Sequence, residues 1–153
     1  MIVFQIEIRE AQRKDVPAIV SMLIDDVIGK DRENDADLTP YYEAFDAISA
    51  DANNSIFVAC DEVGAVVGTF QLVYMHGLSV MAAKRAEIEA VRIHSYFRGR
   101  GLGKQMFAWA MDKAKADGCA ILQLTTSKTR GDSQRFYDQL GFEATHIGYK
   151  MSL

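Results

Sequence analysis

The densest run of chemistry-bearing residues is Arg98-Gly99-Arg100-Gly101-Leu102-Gly103-Lys104, set between the alternating stretch Val91-Arg92-Ile93 and a long amphipathic segment. Three glycines in five residues at a strand-to-helix junction let the backbone take positive φ and approach a ligand without Cβ atoms in the way. The first turn of the helix behind them carries unpaired N–H groups and the positive end of the helix dipole, which together seat phosphate. Arg98, Arg100 and Lys104 add charge of the same sign. The run reads as a pyrophosphate cradle. It is not a P-loop, because Gln105 follows Lys104 where a Mg²⁺-holding Ser or Thr is needed. Nor is it a dinucleotide fingerprint, which spaces its glycines differently and opens a βαβ unit near the front of a domain. Taken alone, the run is also compatible with a tight solvated loop.

A second cluster narrows the choice. Arg98, Gly101 and Gly103 match the pattern Arg/Gln-x-x-Gly-x-Gly/Ala, with the apolar Val91-x-Ile93 upstream. Downstream, Arg135-Phe136-Tyr137 is followed after three residues by Gly141-Phe142. The two stretches resemble motifs A and B of the GNAT superfamily of acetyl-CoA-dependent N-acetyltransferases, and the resemblance in element order covers nearly the whole chain. Ser95 stands where many members have proline.

The resemblance implies an α/β fold: a mixed, mostly antiparallel twisted sheet of six to seven strands flanked by about four helices, splayed where the donor enters. It implies acetyl transfer from acetyl-CoA to a primary amine by direct attack in a ternary complex, without a metal. The diphosphate would sit on the backbone of Arg98 to Lys104. Pantetheine would hydrogen-bond to the backbones of Val91 and Ile93, and the N–H near Val91 would face the thioester carbonyl. Tyr137 matches the family tyrosine that protonates the departing thiolate, work suited to a phenol near pKa 10 beside a thiol near 8.5. One position departs from the family pattern. An asparagine commonly lies seven residues before that tyrosine and contacts pantetheine; here it is Arg130, with Ser127 or Thr129 as substitutes.

For the proton, Glu87 and Glu89 are the candidates. Strand alternation places them on one face with Val91 and Ile93 unless a bulge intervenes. Carboxylates among apolar neighbours on an interior strand are costly to bury, so they call for a reason. A solvated pair or a structural ion pair is the alternative. Glu89 is preferred as the base because it is nearer the thioester position.

The elements that must hold these residues follow from periodicity. A first strand is expected over Ile2–Ile8, and a helix capped by Asp15 carries Val16, Ile19, Val20, Leu23 and Val27 before Gly29 ends it. Thr39-Pro40 opens a second helix ending near Asp51. Strands are expected at Ser55–Cys60 and Val66–Tyr74 about the Asp61–Gly64 turn, and at Arg85–Ile93. The helix behind the cradle ends at Gly118. Cys119–Thr126 reads as a fifth, central strand, a short helix runs to Leu140, and Phe142–Met151 closes with one or two strands.

Composition fits one domain over 1–153. Of the 153 residues, 49% are hydrophobic and 25% charged, and two prolines leave little room for linkers. A net charge of −4 disfavours non-specific nucleic-acid binding. Cys60 and Cys119 are far apart and read as buried thiols of a reducing cytoplasm. The N-terminus lacks the pattern of a signal peptide, no run reaches the roughly 20 apolar residues of a membrane span, and a cytoplasmic location is expected. His76, His94 and His146 have no triad-like or metal-like partner. The acceptor is not legible: a small molecule is favoured, a protein N-terminus or lysine is an alternative, and a homodimer is compatible. The competing class is a non-catalytic acyl-CoA-binding sensor.

Overall fold

A computed structural model describes residues 4–153. The expected first strand begins partly outside them; what is seen is β1 at Glu7–Glu10. Then follow α1 (Val16–Ile24), α2 (Thr39–Ser49), β2 (Asn54–Cys60), β3 (Val66–Met75), a four-residue turn α3 (Ser79–Ala82), β4 (Arg85–Ile93), α4 (Leu102–Ala116), β5 (Ile121–Gln123) and α5 (Gly131–Gln139). The strands lie in chain order in one sheet. β1 to β4 are antiparallel neighbours, and β5 joins β4 in parallel.

Alternation along β2 sorts the two layers. Ile56, Val58 and Cys60 face α1 and α2, where Val16, Ile19, Val20 and Phe45 are buried. Phe57 and Ala59 face the other way, joining Phe70, Leu72 and Ile88 beneath Leu102, Met106, Phe107 and Ala110 of α4. The indole of Trp109 packs on Phe57 and Phe70 at centroid distances of 4.9 and 5.9 Å. Helices therefore cover both faces, as expected from the family resemblance.

Three expectations need correction. First, α1 ends at Ile24 rather than reaching Val27, because Asp25 and Asp26 turn out of the helix to meet arginines of the sheet side. Second, β5 pairs over three residues only, Ile121 to Gln123, and it is the last strand in order, so it is not central. Third, no strand is formed among the described residues after Phe142, and the sheet has five strands instead of six or seven. The apolar alternation of Ile147, Tyr149 and Met151 is there, but the segment is not paired with the described sheet.

Phe107 is fully buried and meets Phe136, Tyr137 and Phe142 edge-on at 5.6 to 5.9 Å, so it ties α4 to α5 and to the segment after it. Replacing Phe107 with alanine is expected to cost about 3–5 kcal/mol. Urea denaturation followed by the fluorescence of Trp109 should show it, and a loss under about 1 kcal/mol would mean α5 does not depend on this contact.

Candidate functional site

β4 and β5 run together only from Arg85 to Glu87, opposite Ile121 to Gln123. Beyond that point the β5-facing edge of β4, from Ile88 to Ile93, has no strand beside it among the described residues. Val91, Ile93 and Arg98, three of the sequence-derived candidates, line a cavity at that edge.

The cradle starts at the end of β4. Gly99 and Gly101 have φ of 72° and 83°, values that side chains resist, and Gly101 is the residue at which α4 begins. Among the described residues, none of the amides from Gly99 to Lys104 donates to a backbone carbonyl or a side chain outside the helix. Leu102 is the anchor: it is buried in the core and fixes the direction of the first turn. Gly103 serves packing instead. A Cβ there would lie 3.1 Å from Phe136 Cζ and 3.4 Å from Ile93 Cδ1. This fits a diphosphate seat with free donors at a helix N-terminus of fifteen residues.

The cationic side chains of the run divide their roles. Arg98 Nε donates to the carbonyl of Ile93 at 3.0 Å, and its Nη2 donates to the carbonyl of Asp25 at 2.6 Å, so it clamps the loop against the end of α1. Arg100 lies over the rings of Tyr96 and Phe4, 4.5 and 5.2 Å from their centroids. Lys104 is exposed on the first turn of α4.

A bulge in β4 changes the reading of the acids. The β3–β4 register pairs Gln71 with Glu89 and Thr69 with Arg92, so three steps on β4 match two on β3. Ala90 sits at the irregularity with φ of 51°. The extra residue flips the alternation. Glu87 and Glu89 therefore share a face with Arg92, whereas Val91 and Ile93 pack on the opposite face with the α4 core. The expectation that acids and Val91/Ile93 share one face is overturned by that bulge. It also takes Ala90 and Val91 out of the β3 ladder.

Glu87 accepts a hydrogen bond from Gln123 Nε2 at 2.9 Å across the start of the cleft. Glu89 stands at the rim, and its carboxyl is raised by partial desolvation and by the adjacent Glu87, with Lys150 opposing. Tyr137 is half-buried against Phe107 and Phe136, and burial raises its phenol while the charges of Arg130 and Arg92 work against the rise. The structure thus brings Val91, Ile93 and Arg98 to one cavity with Arg92 and Arg130, packs Tyr137 with Val91 and Ile93 against the α4 core, and leaves Glu87 and Glu89 on the other face of β4.

Sequence reasoning missed the ionic latch in the wall of that cavity. Asp26, just past α1, accepts from Arg92 Nη2 at 3.4 Å and from Arg130 Nη2. Asp26 and Arg92 side chains are 12% and 14% exposed. Burial alone would raise Asp26, but Arg92 and Arg130 hold it below the usual carboxylate range. Arg92 Nη1 donates to the carbonyl of Val91 at 2.8 Å, while its buried Nε has no partner among the described residues. These residues line a cavity of about 200 Å³ with Val91, Ile93 and Arg98. Arg130, where the family pattern has asparagine, thus pairs with α1's end; Ser127 and Thr129 bond each other at 2.8 Å. His94 Nδ1 accepts from the Tyr96 amide, a turn contact. Among the described residues no group of three His, Cys, Asp or Glu is placed to hold a metal ion, and no helix is long and apolar enough to cross a membrane.

Because Asp26 is depressed in the folded state, its contribution is complete above the unfolded carboxylate pKa near 3.9 and is lost as pH falls through the lower folded value. Asp26→Asn is therefore expected to cost about 1–3 kcal/mol at pH 7, with the difference from wild type shrinking at acid pH. Chemical denaturation at stepped pH checks this, and a difference that grows on acidification would contradict it.

The model of the "Acetyltransferase (GNAT) family" matches residues 19–142. The chain is 26% identical over 147 residues to an aminoalkylphosphonate N-acetyltransferase of Salmonella typhimurium, covering 96% of this chain and 91% of that protein. It is 44% identical to a solved transcriptional regulator of Bacillus halodurans C-125, with a TM-score of 0.92 over 97% of this chain and all of that one. A predicted acetyltransferase of Clostridium acetobutylicum solved with acetyl-CoA shares the fold at 18% identity, with a TM-score of 0.74 over 97% of this chain and 96% of that one. Motifs, splayed sheet and family model agree: this chain is a member of the GNAT acetyltransferase family.

Proposed function

We propose that the chain moves the acetyl group of acetyl-CoA to the primary amine of a small acceptor by direct attack in a ternary complex. The observation that carries this is the set of free amides from Gly99 to Lys104 beside a strand edge left open by the splay. The residues that would hold the donor are those amides for the diphosphate and the backbones of Val91 and Ile93 for pantetheine. The donor supplies an activated thioester. Everything else falls to this chain's own groups.

The bulge supports an oxyanion role for the β4 backbone. Bulged residues leave ladder pairing, so the amide at Ala90–Val91 is free to donate into the cleft. One such donor is typically worth about 3 kcal/mol of transition-state stabilisation. Glu89 is the proposed base, acting through water on the acceptor ammonium, with Glu87 held beside it by Gln123. Its raised pKa brings it towards the operating pH, where a base works best. Tyr137 is the proposed donor of a proton to the departing thiolate.

The acceptor we favour is zwitterionic, an amine that also carries a phosphonate or carboxylate. One face of β4 presents Glu87 and Glu89 to an ammonium and, past the bulge, Arg92 to an anion. Two arginines face the single Asp26, and Arg92 keeps a buried N–H without a partner. The Salmonella relative is named for an acceptor of this chemistry. The name of the Bacillus relative favours a second reading, an acyl-CoA sensor without turnover.

Incubation with acetyl-CoA and a panel of amines, with thiol release followed, separates the two. Turnover of aminoalkylphosphonates at about tenfold or more the kcat/KM of the matching uncharged amines is expected, and Arg92→Met should erase that preference. Donor binding without thiol release from any amine would leave the sensor. Glu89→Gln should lower kcat and flatten the acid limb of kcat/KM, which in wild type falls as pH drops through the raised Glu89 pKa; the same loss from Glu87→Gln alone would move the role to Glu87. Tyr137→Phe should lower kcat by about 10²–10⁴ with donor affinity kept, and unchanged turnover across pH removes it from the mechanism.

A further inference from the structure

Gln123 is the last residue of β5 that pairs with β4, opposite Glu87, so its side chain stands at the rung where the two strands part. It is held from both ends. Its Nε2 donates to Glu87 Oε2 at 2.9 Å, and its Oε1 accepts from Arg85 Nη1 at 3.3 Å. The two contacts together fix the orientation of the amide. A guanidinium only donates and an ionised carboxylate only accepts. A flipped amide would set N–H against N–H and oxygen against oxygen, so Nε2 faces Glu87.

Few other groups face the acid pair. Arg85, Glu87 and Glu89 alternate onto one face of β4, and past the bulge Arg92 joins them. Across the ladder β3 offers the uncharged Gln71 and Val73. α1, packed on this side of the sheet, has no charged residue between Val16 and Ile24, and Asp26 beyond its end is taken up by Arg92 and Arg130. α2 lies over β2 instead. From the segment after Phe142, the charge of Lys150 acts on Glu89. Among the described residues, then, Glu87 accepts a hydrogen bond from Gln123, whereas no backbone or side-chain N–H donates to the Glu89 carboxyl.

We propose that Gln123 is a positioning residue for the acid pair: it keeps the charge on Glu87, so that the one proton the two carboxyls share resides on Glu89, and Arg85 acts through it by fixing the amide. A donor on one carboxylate and none on the other breaks the symmetry of the pair. Partial desolvation is the larger cause that raises the Glu89 carboxyl, and the adjacent Glu87 adds to it. A carboxylate so raised takes a proton from an acceptor ammonium more readily. The rung that ends the β4–β5 ladder therefore also sets the strength of the base. The role assigned to Gln123 rests on the reading of Glu89 as that base.

Carbon-13 NMR of the glutamate carboxyls follows the unaltered protein through a pH titration. As pH falls, Glu89 is expected to take up its proton before Glu87. The reverse order, or one common step, overturns the proposal. Gln123→Met keeps the size of the side chain and removes its donor. In that variant the Glu89 step and the acid limb of kcat/KM should both move to lower pH, by about half a pH unit or more. Its kcat should fall about three- to tenfold while the Kd for acetyl-CoA is kept. An acid limb that stays in place, with or without a loss of kcat, overturns the proposal. Should the variant not fold, the titration of the unaltered protein decides. A Glu89→Gln protein that keeps the full acid limb would remove Glu89 as the base, whereas the order of protonation reports on Gln123 separately, so the two failures are distinct.

Discussion

The separation of β4 from β5 after Glu87 is the constraint on which the site depends. A parallel pair of three residues is a poor ladder, and its loss leaves the backbone of β4 from Ile88 to Ile93 facing open space. Buried or half-buried backbone groups require partners. In the proposed reading, a ligand with amide groups of its own would lie along β4 and satisfy them in the way a missing strand would. The Gly99–Gly101 turn then sets the start of α4 at the end of the same open edge, the arrangement that the proposed donor site requires.

Keeping the two strands apart needs more than the absence of bonds. Arg98 ties the loop to Asp25, and Asp26 holds both Arg92 of β4 and Arg130 ahead of α5. These contacts bridge the end of α1 to each wall of the cleft. Charges so little exposed are costly unless paired, and here one carboxylate serves two guanidinium groups.

Much of this was legible in the residues themselves. β4 spans Arg85–Ile93 as expected, and α4 starts at the glycine run. The bulge at Ala90 was not legible, because an alanine with positive φ carries no sequence signal. That one residue moved Glu87 and Glu89 to the face of Arg92. The Asp26 latch joins positions 66 and 104 residues apart, and no local pattern announces such a pairing. The segment after Phe142 shows the opposite case: its period-two pattern reads as a strand, but none forms there among the described residues.

The central claim is that amide hydrogens of Gly99 to Lys104 receive the diphosphate of acetyl-CoA. Amide-resolved NMR titration of the protein with acetyl-CoA tests it most directly. The amides of residues 99–104, with those of Val91 and Ile93, should shift in saturable fashion while the α2 amides stay in place. Saturable binding that leaves residues 99–104 unmoved, or no binding, would contradict the account.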